Sequence, residues 1–220
     1  MKIITPAIAE PISLETARKQ CRVDAEGSPP AHEDDELIAI FLTAAREWAE
    51  DELGMTLAPA IVESSFDAFP SQVTSTNSAG QTITTPGALV LESGPVLGIE
   101  SIKYLDTDGF EATVDWTTYY LDTNDQVPVV RLFFGDPDDD PWPTSNGAAN
   151  NVKVRYSVGY SLPGDSPQDA ALPARVKAAI LLVLGHLYQN RSNTVEKNLS
   201  EIPLGAAALL SPLKLRKGFA

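Results

Sequence analysis

The stretch that most constrains the fold is LPARVKAAILLVLGHLYQNR, which runs from Leu172 to Arg191. Its apolar residues recur at helical spacing, at Leu172, Val176, Ala179, Ile180, Val183, Leu184, Leu187 and Tyr188. Pro173 suits the first helical position, because its ring fixes a helical φ and its missing N–H is not needed there. At about 1.5 Å per residue the helix would be roughly 28 Å long, the width of a small domain. Leu181 and Leu182 lie off the stripe, so we predict a central core helix that can also contribute to a subunit interface.

Two further helices are predicted nearer the N-terminus. Ser13 is a suitable N-cap for a short helix that ends near Cys21. A second helix begins at Asp34 or Asp35 and ends at Gly54. Its predicted apolar face consists of Leu37, Ile40, Phe41, Ala44 and Trp48. A single cysteine excludes an internal disulfide and indicates a reducing compartment, with Cys21 as a packing residue.

The segment 60–160 has the composition of β-structure, with many Thr, Val and Tyr residues and frequent turns. Strands are predicted at Ile61–Phe66, Ala88–Leu91, Val96–Leu105, Phe110–Val114, Tyr119–Asp122, Val129–Phe134 and Asn151–Tyr160. In the last of these, Val152, Val154, Tyr156 and Val158 alternate with polar residues, which predicts one buried face. Asp106–Gly109 is predicted as a hairpin turn, and Ser71–Thr85 as a mobile loop.

The chain is strongly acidic, with 30 Asp and Glu against 16 Lys and Arg and a net charge of −14. This charge argues against binding DNA through its phosphates, although an acidic wall could let DNA pass without sticking. The acidic runs Glu33–Glu36 and Asp136–Pro141 could be read as metal sites. A solvated helix cap and a surface loop are the better interpretations, because neither run has a complete ligand pattern. Met1–Glu10 lacks the apolar stretch of a signal peptide.

No catalytic motif is recognisable in the sequence, which lacks GxSxG, HExxH, Walker and GxGxxG patterns. The two histidines, His32 and His186, are far apart along the chain, and His186 lies within the predicted core helix. We therefore expect no catalytic residue, no metal, no cofactor and no enzymatic activity.

Several segments in a fixed order resemble one family. ISLETARKQCRVD is followed by DDELIAIFLTAAREWAEDELG, then by SGPVLGIESIKYLDTDG and NNVKVRYSVGY, then by the core helix and IPLGAAALLSPLKL. This order resembles the phage head–tail connector, or adaptor, proteins, in the subgroup with a β-rich insertion. The resemblance covers nearly the whole chain.

The resemblance implies an α+β fold, with a helical connector core (a long central helix plus shorter helices) and a β-rich insertion. The corresponding segments are 1–59 for the N-terminal helices, 60–160 for the insertion, 161–198 for the core helix with its following loop, and 199–220 for a C-terminal arm. It also implies a structural virion protein, made in the host cytoplasm. Its partners would be further copies of the chain in a ring, dodecameric in the particle, a portal protein, and a tail completion or stopper protein. The ring would extend the DNA channel without reading DNA sequence, and no membrane is involved.

The C-terminal arm is the segment for which the sequence itself suggests a binding role. It joins apolar residues to three basic ones at the end of an acidic chain, so it could fill a groove and meet acidic groups on a partner. The predicted partner-binding residues are Leu209, Leu210, Leu213, Lys214, Leu215, Arg216 and Lys217. A solvated, mobile terminus remains the alternative.

A function of another class also remains open. The chain could be a β-rich ligand-binding module on a helical scaffold, with carbohydrate as the ligand. In that case Trp116, Tyr119, Tyr120 and Trp142 would form an aromatic platform, whereas core packing is the simpler interpretation of each.

Overall fold

The computed structural model describes residues 2–6, 9–24, 26–27, 30–71, 73–76, 82–85, 87–124, 128–133, 142–160, 172–190 and 204–214. The helices within these ranges are α1 (Leu14–Cys21), α2 (Asp35–Leu53), α3 (Ala174–Gln189) and α4 (Leu204–Leu210). The strands are β1 (Lys2–Thr5), β2 (Ala60–Phe66), β3 (Val73–Thr76), β4 (Thr82–Thr85), β5 (Leu89–Val90), β6 (Val96–Leu105), β7 (Glu111–Thr113), β8 (Tyr119–Asp122), β9 (Val129–Leu132) and β10 (Val152–Val158). The chain divides into a sheet unit, Met1–Pro6 with Ala60–Gly159, and a helical unit, Ala7–Pro59 with Tyr160–Ala220.

The sheet unit is built on a five-stranded antiparallel sheet in the order β1-β2-β10-β6-β7. The predicted alternation in β10 is confirmed, because Val152, Val154, Tyr156 and Val158 are all buried. Tyr156 carries its hydroxyl into this core, where it lies 2.9 Å from Ser64 Oγ. On the other face of β10, Lys153, Arg155 and Ser157 are exposed or half-buried, as expected when only one face of an antiparallel sheet is covered.

A three-stranded antiparallel sheet, in the order β5-β9-β8, contributes to the same core. Its inward residues include Leu89, Val130 and Leu132, each buried. The predicted turn after β6 is confirmed: Asp106 N–H donates to the Phe110 carbonyl, and Gly109 has a φ of +86°. Glycine tolerates this left-handed backbone, whereas other residues adopt it rarely.

The prediction of a mobile loop over Ser71–Thr85 missed two strands that the structure shows there. Strands β3 and β4 lie in it and pair with each other antiparallel, from Val73 opposite Thr85 to Thr76 opposite Thr82. Threonine is a common strand residue, so a Thr-rich composition was compatible with a hairpin.

The helical unit has its own core, to which all four helices contribute. The predicted ends of the first two helices are confirmed. Ser13 caps α1 by accepting a hydrogen bond from Thr16 N–H. Gly54 ends α2 with a φ of +70°, and its N–H donates to the Glu50 carbonyl.

Helix α3 confirms the predicted core helix. Val176, Ala179, Ile180, Val183 and Leu184 are buried, and Leu182 is 42% exposed. Pro173 is the N-cap rather than the first helical residue, a difference of one position. No helix in the described ranges is both long and apolar enough to cross a membrane.

The apolar face predicted for α2 is only partly right, because Phe41 and Trp48 pack half-buried against the core but the fully buried stripe lies one position further along the helix. The buried apolar residues are Ile38, Leu42, Ala45, Ala49 and Leu53, whereas Ile40 is 58% exposed. The helix carries two neighbouring apolar stripes that are equally regular, and periodicity does not state which one faces the core.

The predicted fold class, a helical connector core carrying a β-rich insertion, is also wrong. The structure is rich in antiparallel sheet, with only a few helices. The sheet unit has a separate hydrophobic core, and its edge strand β1 precedes every helix in the chain. A four-residue strand is too short to give a clear periodic signal, which is why the sequence predicts only helices in the segment 1–59.

Candidate functional site

Some of the predicted partner-binding residues are buried in the core of the helical unit. Leu210 is fully buried at the end of α4, and Leu209 and Leu213 are half-buried against the same core. Leu215, Arg216 and Lys217 lie outside the described residues. Leu210 is therefore a core residue in this conformation, and Leu209 and Leu213 offer only part of their side chains to a partner.

Lys214 is exposed and forms an ion pair within the helical unit. Its Nζ lies 2.6 Å from Glu52 Oε2 on α2, and 45% of its side chain is accessible. An exposed ion pair of this kind contributes about 0–1 kcal/mol, so a partner carboxylate could replace Glu52 at little cost.

The four aromatic residues of the predicted platform do not share one surface. Tyr119 and Trp142 are buried in the sheet unit, whereas Trp116 is 77% exposed. Trp142 donates from Nε1 to the Gly87 carbonyl over 2.9 Å, and its ring stacks on Phe69 at 5.0 Å between centroids. These contacts give Trp142 a structural role.

An exposed aromatic pair lies elsewhere on the sheet unit and was not anticipated. Tyr120 on β8 and Phe133, just after β9, have ring centroids 5.1 Å apart. Both are exposed, at 38% and 58%. The strand register would have placed them as neighbours, but no signal in the sequence alone fixes that register.

Both histidines make local contacts at helix ends. His32 Nδ1 accepts a hydrogen bond from Asp34 N–H over 3.0 Å and so helps to begin α2. His186 Nδ1 lies 3.3 Å from Asn190 Nδ2 at the end of α3. Within the described ranges, no group of three or more His, Cys, Asp or Glu side chains could hold a metal ion.

The acidic run at the start of α2 is engaged in local structure. Arg18 and the His32 N–H both bond the Asp35 carboxylate, and Tyr188 donates to Asp34 Oδ2 over 2.6 Å. The Arg18 side chain, followed by the His32 N–H, lowers the pKa of Asp35 from its ordinary value. The second acidic run, Asp136–Pro141, lies outside the described residues.

A cavity of about 400 Å³ opens on the sheet unit beside Tyr104, Val114, Asp115 and Trp142. Among the described lining residues the one carboxylate is that of Asp115, which accepts hydrogen bonds from the N–H and hydroxyl of Thr117. These bonds lower the pKa of Asp115, so the carboxylate is held ionised as a turn cap. The described residues that line the cavity therefore include no pair of titratable side chains arranged for acid–base chemistry.

Solved structures share this fold along nearly the whole chain. A chain from the virion of a native gene transfer agent particle is 16% identical, with a TM-score of 0.64, and the match covers 99% of this chain and 98% of that one. A chain from the neck of an empty gene transfer agent particle, computed with C6 symmetry, is 15% identical with a TM-score of 0.65, covering 99% and 96%. A third, from the neck of the native particle computed with C12 symmetry, is 16% identical with a TM-score of 0.59, covering 100% and 98%.

At these identities the likeness establishes the fold and leaves function to be argued separately. No protein-family model matches the sequence. No curated protein matches it either.

Proposed function

We propose that this protein is a structural subunit of the neck of a phage-like particle. The observation that carries the proposal is the fold shared with chains of gene transfer agent particles, which extends over 99% of this chain and 96% of a neck chain. The structural match extends over nearly the full length of both chains, which favours a similar role more strongly than a match limited to one small domain would. The virion is the corresponding location, after synthesis in the host cytoplasm.

In its finer form, the proposal is a head–tail connector ring below the portal. Copies of the chain would surround the DNA path, with twelve in the particle, and the ring would offer a docking surface to the tail or to a stopper protein. The order of sequence segments quoted above supports this form. So do the similar neck structures of gene transfer agent particles, which were computed with C6 and C12 symmetry. A closed ring of identical copies needs two different complementary patches on each copy.

The charge of the chain suits such a position. Each copy has a net charge of −14, so a ring of many copies would repel the phosphates of DNA that passes through it and would keep the DNA from binding to the ring. Interfaces rather than chemistry would perform the function, so we expect no enzymatic activity.

The C-terminal segment is proposed as one contact with the portal. Leu209, Leu213 and Lys214 would contribute from the described part of the chain, and Leu215, Arg216 and Lys217 from the residues that follow. Lys214 would exchange Glu52 for an acidic group on the partner. The carbohydrate-binding alternative is not favoured, because burial of Tyr119 and Trp142 removes half of the predicted platform.

The test is electron microscopy of particles produced with and without the gene for this chain. We expect loss of the chain to yield DNA-filled or emptied heads without attached tails, and restored necks when it is supplied again. Complete particles that lack the protein would overturn the proposal.

A second measurement tests the C-terminal contact. Portal complexes would be captured with the unaltered chain and with a variant that combines Lys214→Glu, Arg216→Glu and Lys217→Glu. We expect weaker, salt-dependent recovery of the variant, and equal recovery at physiological salt would refute this contact.

A further inference from the structure

We infer that the polar face of the five-stranded sheet docks on the exposed side of α2 in a second copy of this chain. The inference rests on the proposed function, since it supplies the two different patches that a ring subunit needs.

The first patch, the basic sheet face, consists of Lys2, Lys103, Lys153 and Arg155. Strand pairing places these residues on one side of the sheet: Lys2 and Arg155 both lie opposite Glu63, and Lys153 lies opposite Lys103. The whole sheet unit has five Lys and Arg residues against fourteen Asp and Glu. Four of its five basic residues are therefore on a single face, although the unit as a whole is strongly acidic.

Described residues of the sheet unit neutralise only part of this positive charge. Glu63 Oε2 pairs with Arg155 at 3.1 Å and Glu111 with Lys103 at 2.7 Å. Lys2 and Lys153 have no ion pair with any described residue. Lysines directly opposite each other on neighbouring strands destabilise a sheet, so the pair Lys103 and Lys153 is a cost that an acidic partner would relieve.

The positive charge of the basic sheet face affects the pKa of Glu111, which lies beside it. Lys103 lowers the pKa of Glu111 first through a hydrogen bond and then through its charge, and Lys153 and Arg155 lower it further. A cavity of about 280 Å³, lined by Lys103 and Lys153, lies beside the same residues. The surface thus combines positive potential with space for an entering side chain.

The second patch, the acidic α2 side, consists of Glu36, Ile40, Ala44, Glu47 and Asp51. These residues follow one another at intervals of three or four and are all exposed. The side carries no basic residue. Its acids are nearly free of partners among the described residues, since the one ion contact is Glu47 Oε1 at 3.7 Å from Arg46. Ile40 and Ala44 provide apolar contact between the charges.

The charges of the chain indicate that the partner of the basic sheet face is the acidic α2 side of a second copy. Two copies of net charge −14 repel each other at long range, so they can associate only where opposite charges face one another locally. Pairing a sheet face with a helix side joins two unlike surfaces. After one such contact, the first copy retains a free acidic α2 side and the second a free basic sheet face, so the contact can repeat around a ring.

Nucleic acid fits the basic sheet face less well than a protein does. Glu63 and Glu111 stand between the basic residues, and Glu100 is exposed at the adjacent irregularity in β6. A phosphate backbone would meet these carboxylates, whereas a protein surface of mixed charge can match them one by one.

The experiment measures self-association of the full chain by sedimentation at several salt concentrations. Lys103→Glu with Lys153→Glu reverses the basic sheet face, and Glu47→Lys with Asp51→Lys reverses the acidic α2 side. Lys19→Glu with Arg175→Glu is the matched control for the sheet variant, because both residues are exposed, lie outside the two patches and change the net charge by the same amount and in the same direction. Thermal melting verifies that each variant folds.

We expect salt-sensitive association of the wild type, a loss of roughly tenfold or more in affinity for either patch variant, and little change for the control. Combining the two reversals should restore association, which damage to the fold could not do. Unchanged association of the folded patch variants would overturn the inference. A wild type that stays monomeric at low salt, or a sheet variant that loses binding to duplex DNA while still associating, would also overturn it. The proposed function would survive these results, since particle necks are assayed separately and a portal could assemble copies that do not associate alone.

Discussion

Arg18 and Asp35 are joined by two parallel hydrogen bonds in the helical unit. Arg18 Nε donates to Oδ1 over 2.7 Å and Nη2 donates to Oδ2 over 2.6 Å. The planar guanidinium matches a carboxylate in this geometry, which a lysine could not reproduce. The pair connects the last turn of α1 to the first turn of α2 and also leaves Asp35 Oδ2 to accept the His32 N–H.

We predict that loss of this ion pair contributes to the loss of folding stability at low pH. The pKa of Asp35 lies below its ordinary value of 3.8, so its contribution to folding is complete above that pH and is lost as the pH falls through the lowered pKa. Asp35→Asn should reduce stability at neutral pH and should flatten the dependence of the unfolding free energy on pH below about 3.8. Urea titrations from pH 2 to 7 measure both effects. Asp24→Asn, at an exposed carboxylate, is the control, and identical pH profiles for the two variants would contradict the prediction.

We predict that breaking the buried ion network around Arg46 strongly lowers the unfolding free energy. Its side chain is only 10% exposed and contacts Glu10 at 2.9 Å and Glu50 at 2.5 Å. Burial opposes its charge, but Glu50 and Glu10 outweigh burial and raise the pKa of Arg46. Arg46→Met would leave two carboxylates without a cation, at a cost of roughly 3–5 kcal/mol in unfolding free energy.

Lys19 provides the matched comparison for Arg46. It also pairs with a glutamate four residues away on a helix, Glu15 at 2.6 Å, but both side chains are more than 70% exposed. Lys19→Met should therefore change stability by less than about 1 kcal/mol. Equal losses for the two Met variants in chemical denaturation would show that the Arg46 network is not effectively buried.

Leu184 and Leu182 on α3 give a second matched pair. Leu184 is fully buried and Leu182 is 42% exposed, although both are leucines on the same helix. Leu184→Ala should cost about 2–5 kcal/mol through lost burial and a cavity, and Leu182→Ala about 1 kcal/mol or less. Thermal unfolding measures both. A Leu184→Ala melting temperature equal to that of the wild type would mean that the predicted core helix is not part of the core.

Trp142, which is buried, and Trp116, which is exposed, allow a direct test of the predicted aromatic platform. Trp142→Ala should cost roughly 3–5 kcal/mol, because it removes a buried ring together with its hydrogen bond to Gly87. Trp116→Ala should leave stability nearly unchanged, since the residue is 77% exposed. If carbohydrate arrays detect binding that both substitutions abolish in folded protein, the platform hypothesis would have to be restored.

Much of the local structure could be predicted from sequence because the relevant signals are local. The cap at Ser13, the stop at Gly54 and the bounds of β6 and β8 all depend on residues within a few positions. The core role of α3 was also predictable, since its apolar stripe is the longest in the chain.

The remaining features depend on contacts between distant residues. The face of α2 that is buried is decided by tertiary packing, and two apolar stripes one residue apart looked alike in sequence. The basic sheet face was not recognised either. Lys2, Lys103 and Lys153 are far apart along the chain, and only the strand register brings them to one surface.

Strand β1 gives the N-terminal residues an importance that their number does not suggest. It covers one edge of the five-stranded sheet by pairing with β2, from Lys2 opposite Glu63 to Thr5 opposite Ile61. Removing it would uncover the backbone hydrogen-bonding groups of the seven-residue strand β2. An uncovered edge is a template for strands of other molecules, so aggregation would be the main consequence of trimming this end.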